Sequence, residues 1–298
     1  MTESGTAVVV VGSANIDQIF RVTTIPTAGE TVLSHGFSTA LGGKGQNQAV
    51  ASARAGAATS FLAAVGDDSF GSQIRQGLAA DSVDISRLRT VSAPTGTAMI
   101  AVDDSAENMI IVEPGANALL TGLSLADRAV IGAARVVVLQ LEIPLDTVIE
   151  AADAAHAATT TVVLNAAPIR DLPDALLGTV DILVVNEHEL AVLTAARPGT
   201  ELTDLVPVLV ITLGSRGAVL RRRGLADLSF TAPKVTAVDT TGAGDTFCGA
   251  LAASLAEGTE LELAVRFAVV AGSLSVQRVG AVPAIPHREE ILAQLPKL

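Results

Sequence analysis

Short runs of valine, isoleucine and leucine alternate with longer, alanine-rich stretches along this 298-residue chain. The short runs are apolar throughout, as expected for strands that are buried on both faces of a sheet. They lie at Ala7–Val11, Thr59–Val65, Arg135–Leu141, Thr161–Leu164, Asp181–Val185 and Val206–Leu213. Helices are predicted between them at Gln46–Ala55, Phe70–Ala80, Leu145–Ala157 and Asp245–Ala256. This order predicts an α/β fold with a mostly parallel central sheet that is covered by helices.

Two segments interrupt this alternation. Residues Asp17–Leu41 are rich in Thr, Pro and Gly, and the strands Thr97–Val102 and Asn108–Val112 flank a polar turn at Asp103–Glu107. We interpret both segments as a small antiparallel lid over the carboxyl ends of the sheet strands, where open α/β folds bind ligands. A plain surface hairpin is the alternative. No linker divides the chain, so we expect one domain over residues 1–298, with a lid near 17–41 and 96–113.

The composition argues against several classes of function. A net charge of −12 and an aromatic content of 2% disfavour nucleic-acid binding, and the short basic run Arg221–Arg223 is interpreted as a strand end or hairpin. The four histidines lack metal-ligand spacing, and Cys248 is expected to be a buried helix residue. Met1–Thr6 lacks the basic residues of a signal peptide, and Leu263–Val276 is too short to span a bilayer. We therefore expect a soluble, cytoplasmic protein.

The strongest local pattern is the run DTTGAGDTF at Asp239–Phe247, which follows a predicted strand at Lys234–Val238 and begins an apolar helix. Glycines let the backbone approach a ligand closely, and the free N–H groups of a helix N-terminus favour an anion such as phosphate. A carboxylate would repel phosphate there, unless Asp245 accepts a proton from an attacking hydroxyl. The alternative is an ordinary helix start with Asp245 as a cap.

A second glycine-rich run, GGKGQN at Gly42–Asn47, has the look of a nucleotide-binding P-loop. The match fails because Ser38 stands at the required first glycine and Gly45 at the metal-binding Ser or Thr. What remains is a glycine turn before a helix, where Asn47 offers both a donor and an acceptor to a polar substrate. A tight loop without a ligand is the alternative.

Three further polar groups follow predicted strands. Asn15 and Asp17 alternate with apolar neighbours, so both side chains can point the same way and suit the hydroxyl groups of a sugar. The Asn186–Glu189 group can organise Mg²⁺ through water, and Thr212–Gly217 is another glycine turn. Taken alone, each group is also explained as a structural turn. The dinucleotide-binding pattern G-x-G-x-x-G is not met after the first strand, so a Rossmann oxidoreductase is a weak alternative.

Taken in order, these motifs resemble the ribokinase branch of the phosphofructokinase B family of sugar kinases. The likeness extends from about Val8 to about Glu290, and the two glycine-rich runs match the two signatures of that family. Shorter supporting runs lie at Pro26–Thr31, Gly66–Asp68, Gly115–Asn117, Gln140–Glu142 and Thr212–Gly217. The resemblance implies a ribokinase-like three-layer α/β sandwich with a β-sheet lid, often paired into a homodimer through the lids. It also implies phosphate transfer from ATP to a sugar hydroxyl.

The resemblance assigns roles to individual residues. Asp245 is the expected catalytic base, and the amides of Gly242, Ala243 and Gly244 form the expected anion hole. The expected sugar contacts are Asn15, Asp17, Gly43, Lys44, Asn47, Glu142 and Asp245. The expected ATP contacts are Asn186, Thr212, Gly214, Ser215, Gly217 and Gly244. Glu189 would help to hold Mg²⁺ through water.

Ribokinase-like proteins also carry a potassium site beside the anion hole. The matching positions are Asp239, Thr241, Ser275, Arg278, Gly280 and Ala284. Ala284 stands where the family often has a serine, so one hydroxyl ligand is missing. Two further departures are a shortened crossover between Glu189 and Leu209, and Val269 in place of a histidine near the nucleotide.

D-ribose is the expected substrate, because a site built on Asp17 and Glu142 would repel a sugar that already carries phosphate. The alternative within the family is another carbohydrate or nucleoside kinase, such as a fructokinase-like or deoxyribokinase-like enzyme. The scarcity of aromatic residues counts against adenosine. A sugar-binding protein without turnover is the alternative outside the enzymes, and the filled catalytic positions argue against it.

Overall fold

The computed structural model describes residues 6–105 and 107–295. Residues 1–5 lie outside the described residues, and so does most of the segment Met1–Thr6, which we expect not to be a signal peptide. Ala106 in the predicted turn and residues 296–298 also lie outside them. Among the described residues, no helix has both the length and the apolar character that crossing a bilayer requires.

Strands and helices alternate along most of the described chain. The strands are β1 (Val8–Val11), β2 (Asn15–Arg21), β3 (Gly36–Gly42), β4 (Thr59–Gly66), β5 (Leu88–Val91), β6 (Gly96–Val102), β7 (Asn108–Glu113), β8 (Val136–Leu139), β9 (Thr161–Asn165), β10 (Ile182–Asn186), β11 (Val208–Thr212), β12 (Ala218–Arg222) and β13 (Leu228–Phe230). The α-helices are α1 (Lys44–Arg54), α2 (Ser69–Ala80), α3 (Leu125–Ala133), α4 (Leu145–Ala157), α5 (Asp174–Leu177), α6 (Glu187–Ala195), α7 (Leu202–Leu205), α8 (Ala243–Ala256), α9 (Leu261–Ser275) and α10 (Arg288–Gln294).

Nine strands form the main sheet, in the order β13-β12-β11-β10-β9-β8-β1-β4-β5. All neighbours from β11 to β5 are parallel, whereas β12 and β13 pair antiparallel at one edge. The six predicted apolar runs all form strands of this sheet, with ends that shift by one or two residues. The expectation of a mostly parallel sheet is confirmed, and the basic run Arg221–Arg223 lies at the end of β12 as expected.

Helices cover both faces of the main sheet. One apolar core packs against α1, α2, α8 and α9, and a second core packs against α3, α4 and α6 on the opposite face. The side chains of β1 show the division, because Val8 and Val10 enter the first core while Val9 and Val11 enter the second. The three-layer sandwich is therefore confirmed, and Cys248 is a buried residue of α8.

The predicted strand at Lys234–Val238 is wrong. The segment follows the edge strand β13 in the chain, and it pairs with no strand among the described residues. It is tied instead to the end of α9, because the backbone N–H groups of Val238 and Asp239 both donate to the carbonyl oxygen of Val276. An apolar run predicts a strand only where a neighbouring strand can accept its hydrogen bonds. The shortened crossover after Glu189 contains two short helices, α6 and α7.

The lid is a separate four-stranded sheet in the order β3-β2-β6-β7. Its outer pairs are antiparallel, but the central pair, β2 and β6, is parallel. The expectation of a purely antiparallel lid is therefore wrong. The two lid segments each leave the body of the protein separately, so their first strands enter the lid in the same direction. Only three residues separate β1 from β2, and one residue separates β3 from α1, so the lid is joined directly to the carboxyl end of the main sheet.

Candidate active site

The N-terminus of α8 is built from the Asp239–Phe247 run. Gly242 precedes the helix with φ of 72°, a left-handed conformation that costs a residue with a side chain about 1–2 kcal/mol. No side chain among the described residues caps the first N–H groups of α8, although that of Ala243 makes a long 3.3 Å bond to the carbonyl oxygen of Thr240. Asp245 lies in the first turn of the helix and is only 5% exposed. The amides expected to form an anion hole therefore lie next to the expected base.

Two amide side chains from α1 hold the carboxylate of Asp245. Asn47 Nδ2 donates to Oδ2 at 3.0 Å, and Gln48 Nε2 donates to Oδ1 at 2.9 Å. Burial raises the pKa of Asp245, while Lys44 and the two amide hydrogen bonds act in the opposite direction. The carboxylate is thus oriented from both oxygens, and it is more basic than an ordinary aspartate.

Further charged groups surround Asp245. Burial, together with the charges of Glu142 and Asp245, raises the pKa of Asp17 to about 6. The negative charge of Asp245 raises the pKa of Lys44, and Glu142 and Glu189 add to this effect. Lys44 therefore interacts with three carboxylates, and two of these, Glu142 and Asp245, also interact with Asp17.

Glu142 follows β8 and is fixed by the segment that follows β1. Ser13 Oγ donates to Glu142 Oε2 at 2.6 Å, and the backbone N–H of Lys44 donates to the same oxygen at 3.0 Å. Ser13 Oγ also accepts from the N–H of Gly45. The glycine turn before α1 and the start of the lid are thereby joined at the expected sugar site.

A cavity of about 370 Å³ begins at the same helix N-terminus. Its polar rim includes Thr212, Gly214, Ser215, Gly217 and Gly244, which are five of the six expected ATP contacts. Its apolar walls include Phe247, Val235, Val276 and Val269, which replaces the family's histidine. An apolar slot that opens onto the uncapped N-terminus of a helix suits a flat base attached to phosphates.

The sixth expected ATP contact, Asn186, lies outside the lining of this cavity. Its side chain instead caps α6, because Oδ1 accepts from the N–H of Glu189 at 2.8 Å. Glu189 Oε2 in turn accepts from the N–H of Asn186 at 2.7 Å. This reciprocal cap uses one oxygen of Glu189, and Oε1 has no hydrogen-bond partner among the described residues.

Three of the six expected potassium positions lie together beside the expected anion hole. Asp239 joins them, because Oδ1 accepts from the N–H of Thr241 at 2.9 Å and Oδ2 accepts from the N–H of Gly280 at 2.8 Å. Ser275 is the last residue of α9, and Ala284 lies in a short 3₁₀ helix, Val282–Ala284, that follows Gly280 in the chain. The carbonyl oxygens of Thr241, Gly280 and Ala284 accept no hydrogen bond from the described residues.

Comparison with known proteins identifies the family of this chain. Residues 6–288 match the model of the pfkB family of carbohydrate kinases, which covers most of the chain. This chain belongs to the pfkB family. The relative from Schizosaccharomyces pombe, a ribokinase, is 39% identical over 95% of this chain and 96% of its own length. The ribokinase of Bacillus subtilis is also 39% identical, over 95% of this chain and 97% of its own length.

Solved structures agree with the family assignment. The ribokinase of Arabidopsis thaliana, solved with ribose and ATP, has a TM-score of 0.90 and 34% identity, and covers 98% of this chain and 99% of its own. The ribokinase of Thermotoga maritima has a TM-score of 0.90 and 33% identity, over 98% of this chain and 100% of its own. The ribokinase-like α/β fold is thus shown by structures as well as by sequence.

Sequence reasoning missed three polar residues of this pfkB site. Gln48 binds Asp245, Ser13 binds Glu142, and Asn117 binds the start of the lid strand β2. Asn117 ends the run Gly115–Asn117 noted above, Ser13 lies two residues before Asn15, and Gln48 follows Asn47 on the same helix. Their partners lie far away along the chain, so spacing alone gives no signal for these contacts.

A larger and more open cavity, of about 670 Å³, lies away from the pfkB motifs. Its lining includes Arg87, Arg89, Asp127 and Glu150. Both carboxylates are already paired, since Asp127 accepts from Arg89 and Glu150 accepts from Arg128. We therefore assign the chemistry to the smaller cavity and the carboxylate cluster beside it.

Proposed function

We propose that this chain is an ATP-dependent kinase that phosphorylates the terminal hydroxyl of D-ribose to give D-ribose 5-phosphate. The observation that carries the proposal is a buried carboxylate, Asp245, at a helix N-terminus without a side-chain cap, between a cluster of polar side chains and an apolar cavity. The ribokinases named above are similar to this chain over almost its whole length.

Asp245 acts as the general base in this proposal. Its carboxylate takes the proton of the terminal hydroxyl while that oxygen attacks the γ-phosphorus of ATP. The bond between the γ-phosphorus and the bridging oxygen breaks, and the electron pair leaves with ADP. Burial raises the pKa of Asp245, which makes it a better proton acceptor for a weakly acidic alcohol.

The anion hole would stabilise the charge that the transferring phosphoryl group carries. No side chain caps the amides of Gly242, Ala243 and Gly244; the N–H groups of Gly242 and Gly244 have no partner among the described residues, whereas that of Ala243 makes a long 3.3 Å bond to the Thr240 carbonyl oxygen, which an anion would replace. Lys44 adds a nearby positive charge. Fixed donors of this kind lower the barrier most when they are oriented before the reaction starts. Phosphoryl transfer depends mainly on such positioning and charge neutralisation.

The sugar site would consist of Asn15, Asp17, Gly43, Lys44, Asn47 and Glu142. Asp17 and Glu142 interact electrostatically with each other and with Asp245. Carboxylates accept hydrogen bonds from hydroxyl groups and repel a phosphate, so this cluster favours a free sugar over a sugar phosphate. Another carbohydrate kinase activity within the family is the second candidate.

Mg²⁺ and K⁺ are part of the proposal. Glu189 retains one carboxylate oxygen without a partner, which fits an ion that it contacts through water. No group of three His, Cys, Asp or Glu side chains within residues 6–105 and 107–295 forms a protein-only metal site, so phosphates and water would complete the Mg²⁺ shell. The carbonyl oxygens near Asp239, together with those of Ser275 and Arg278, fit a potassium ion, which would steady the anion-hole loop.

We further propose that residues 1–298 act as one ribokinase-like domain in the cytoplasm, with the lid formed by residues 17–41 and 96–113. We propose that two copies of the chain pair into a homodimer through the lid. Ile110 and Ile111 of β7 are 53% and 55% exposed although they point to opposite faces, and Phe37 of β3 is 60% exposed. An apolar surface of this kind is typical of an interface.

The test is a kinase assay with ATP over D-ribose, fructose, 2-deoxyribose and adenosine, each with KCl and with NaCl. We expect the fastest turnover with ribose and a higher rate in KCl. Faster turnover of another sugar would reject ribose and keep the kinase. Binding of ribose without any transfer would reject the kinase itself.

A further inference from the structure

Asn117 is a buried residue to which the proposed mechanism assigns no role. It lies in the 3₁₀ helix Gly115–Leu119, directly after the lid strand β7, and is 1% exposed. Its side chain reaches across to the start of β2, the strand that carries Asn15. Three hydrogen bonds of this side chain end on two consecutive residues, Ala14 and Asn15.

The backbone of Ala14 determines which way the Asn117 amide points. The N–H of Ala14 donates to Asn117 Oδ1 at 2.9 Å, and only an oxygen can accept that bond. Asn117 Nδ2 must then face the other way, where it donates to the carbonyl oxygen of Ala14 at 3.2 Å. The orientation of this amide is therefore set by groups that cannot turn.

The orientation of Asn117 in turn determines the orientation of the Asn15 amide. Asn117 Nδ2 donates to Asn15 Oδ1 at 2.7 Å, so the oxygen of Asn15 must face Asn117. Asn15 Nδ2 is left pointing away, and it makes no hydrogen bond within the described part of the chain. Asn15 is 3% exposed and lies beside the glycine turn, since a Cβ added at Gly43 would be 2.8 Å from the Asn15 backbone nitrogen.

The lid strand β6 leaves room for this contact. Gly96 begins β6, and a Cβ at that position would lie 2.3 Å from both Asn117 Nδ2 and Asn15 Oδ1. Any larger residue at position 96 would therefore separate the two amides. The first residues of the strands β2 and β6, Asn15 and Gly96, thus meet at Asn117, and they are paired in the lid sheet as well.

We propose that Asn117 is a positioning residue that fixes Asn15 as a hydrogen-bond donor toward the sugar. This inference rests on the proposed sugar-kinase function. The side chain of Asn117 touches neither substrate, and it acts through the amide of Asn15. Because Asn117 directly follows the lid strand β7, its contact with Asn15 lets the base of the lid determine which group of Asn15 faces the sugar.

The first test uses the unmodified protein, labelled with ¹⁵N at asparagine. We expect the Asn117 side-chain NH₂ to exchange slowly with water whether or not ribose is present. The Asn15 NH₂ should exchange quickly in the free protein, and should shift and become protected when ribose is added. An Asn15 NH₂ that ribose leaves unchanged would overturn the proposal without any variant having to fold.

The second test is Asn117→Asp, which keeps the shape and the acceptor for Ala14. The new carboxylate oxygen repels Asn15 Oδ1, so Asn15 is expected to turn its amide over and to present an acceptor to the sugar. Loss of one correctly directed hydrogen bond predicts a KM for ribose that rises about 3- to 10-fold, with the KM for ATP unchanged. The matched control is Gln73→Glu, which makes the same chemical change on an exposed face of α2 and should alter neither constant.

A double-mutant cycle tests whether Asn117 acts through Asn15. In an Asn15→Ala background, Asn117→Ala should change the KM for ribose by less than about twofold, because the residue through which it acts is gone. Additive effects of the two changes would contradict the proposal, as would parallel rises in both KM values. If the unmodified chain transfers phosphate to a different sugar, the proposed choice of ribose fails. The same measurements with that sugar then decide the role of Asn117 separately.

Discussion

Replacing Asp245 with asparagine removes the proposed proton acceptor and keeps the shape of the side chain. Base assistance to an alcohol contributes about 100- to 10,000-fold to a rate, and we expect kcat to fall within that range. Ribose should still bind, because the other proposed sugar contacts are unchanged. The KM for ATP should also change little, since the cavity that we assign to the nucleotide is formed by other side chains.

The structure allows this variant to fold without losing a hydrogen bond. Asn47 Oδ1 and Gln48 Oε1 are both buried and have no partner among the described residues. One of these amides can therefore turn over and accept from the new NH₂ group, while the other still donates to the remaining oxygen. The raised pKa of Asp245 means that its ionised form costs folding energy at neutral pH, and the amide removes this cost.

Asp245→Ala is the contrasting variant. It leaves the buried Asn47 Nδ2 and Gln48 Nε2 without an acceptor, and each unsatisfied group costs about 1–3 kcal/mol. We therefore expect the alanine variant to be less stable than the asparagine variant by at least about 2 kcal/mol, although both lose turnover.

The assay combines coupled ADP release, ribose binding by calorimetry and urea unfolding. The reasoning would be refuted if Asp245→Asn lost less than about tenfold in kcat, because no base would then be needed. It would also be refuted if the asparagine and alanine variants were equally unstable. In that case the two amides of α1 would not be holding the carboxylate.

Three further predictions concern the same site. Ribose binding should weaken as the pH falls from 7 to 5, because the pKa of Asp17 is raised to about 6 and the protonated acid accepts hydrogen bonds poorly. Calorimetry should show that Asp17→Asn binds ribose weakly and with an affinity that does not change over this pH range. Gly242→Ala should lower the free energy of unfolding by about 1–2 kcal/mol and also reduce kcat, because φ there is 72°. Ala284→Ser should lower the KCl concentration that gives half-maximal activation, since it supplies a hydroxyl ligand.

Each of these predictions has an outcome that contradicts it. Burial raises the pKa of Asp17 from its usual 3.8 to about 6 in the folded protein. Ionisation of Asp17, which suits the sugar, therefore lowers the free energy of unfolding as the pH rises from about 4 to about 6, and this cost is fully present above pH 6. Urea unfolding should show Asp17→Asn gaining stability relative to the unmodified protein over that range, and constant ribose affinity from pH 5 to 7 would refute this assignment. An unchanged unfolding energy in Gly242→Ala would contradict the conformational argument. If the unmodified protein and Ala284→Ser needed the same KCl concentration for half-maximal activation, position 284 would not belong to the cation site.

Much of the fold was predictable because its signals are local. A buried parallel strand must be apolar on both faces, so β1, β4 and β8 to β11 are visible as valine-rich runs. Glycine-rich turns directly before helices mark places where the backbone can approach a ligand, which located the Asp239–Phe247 run and the turn before α1. Order and spacing of such motifs were sufficient to indicate the family.

The tertiary structure alone decided the contacts within the site. Asn47 and Asp245 are 198 positions apart, and Asn117 and Asn15 are 102 apart, so no local periodicity relates them. The parallel pairing of β2 with β6 and the failure of Lys234–Val238 to form a strand depend on which backbone groups find a neighbour. Hydrogen bonding between distant segments is settled only when the sheets are assembled, because sequence records the donors and acceptors but not their partners.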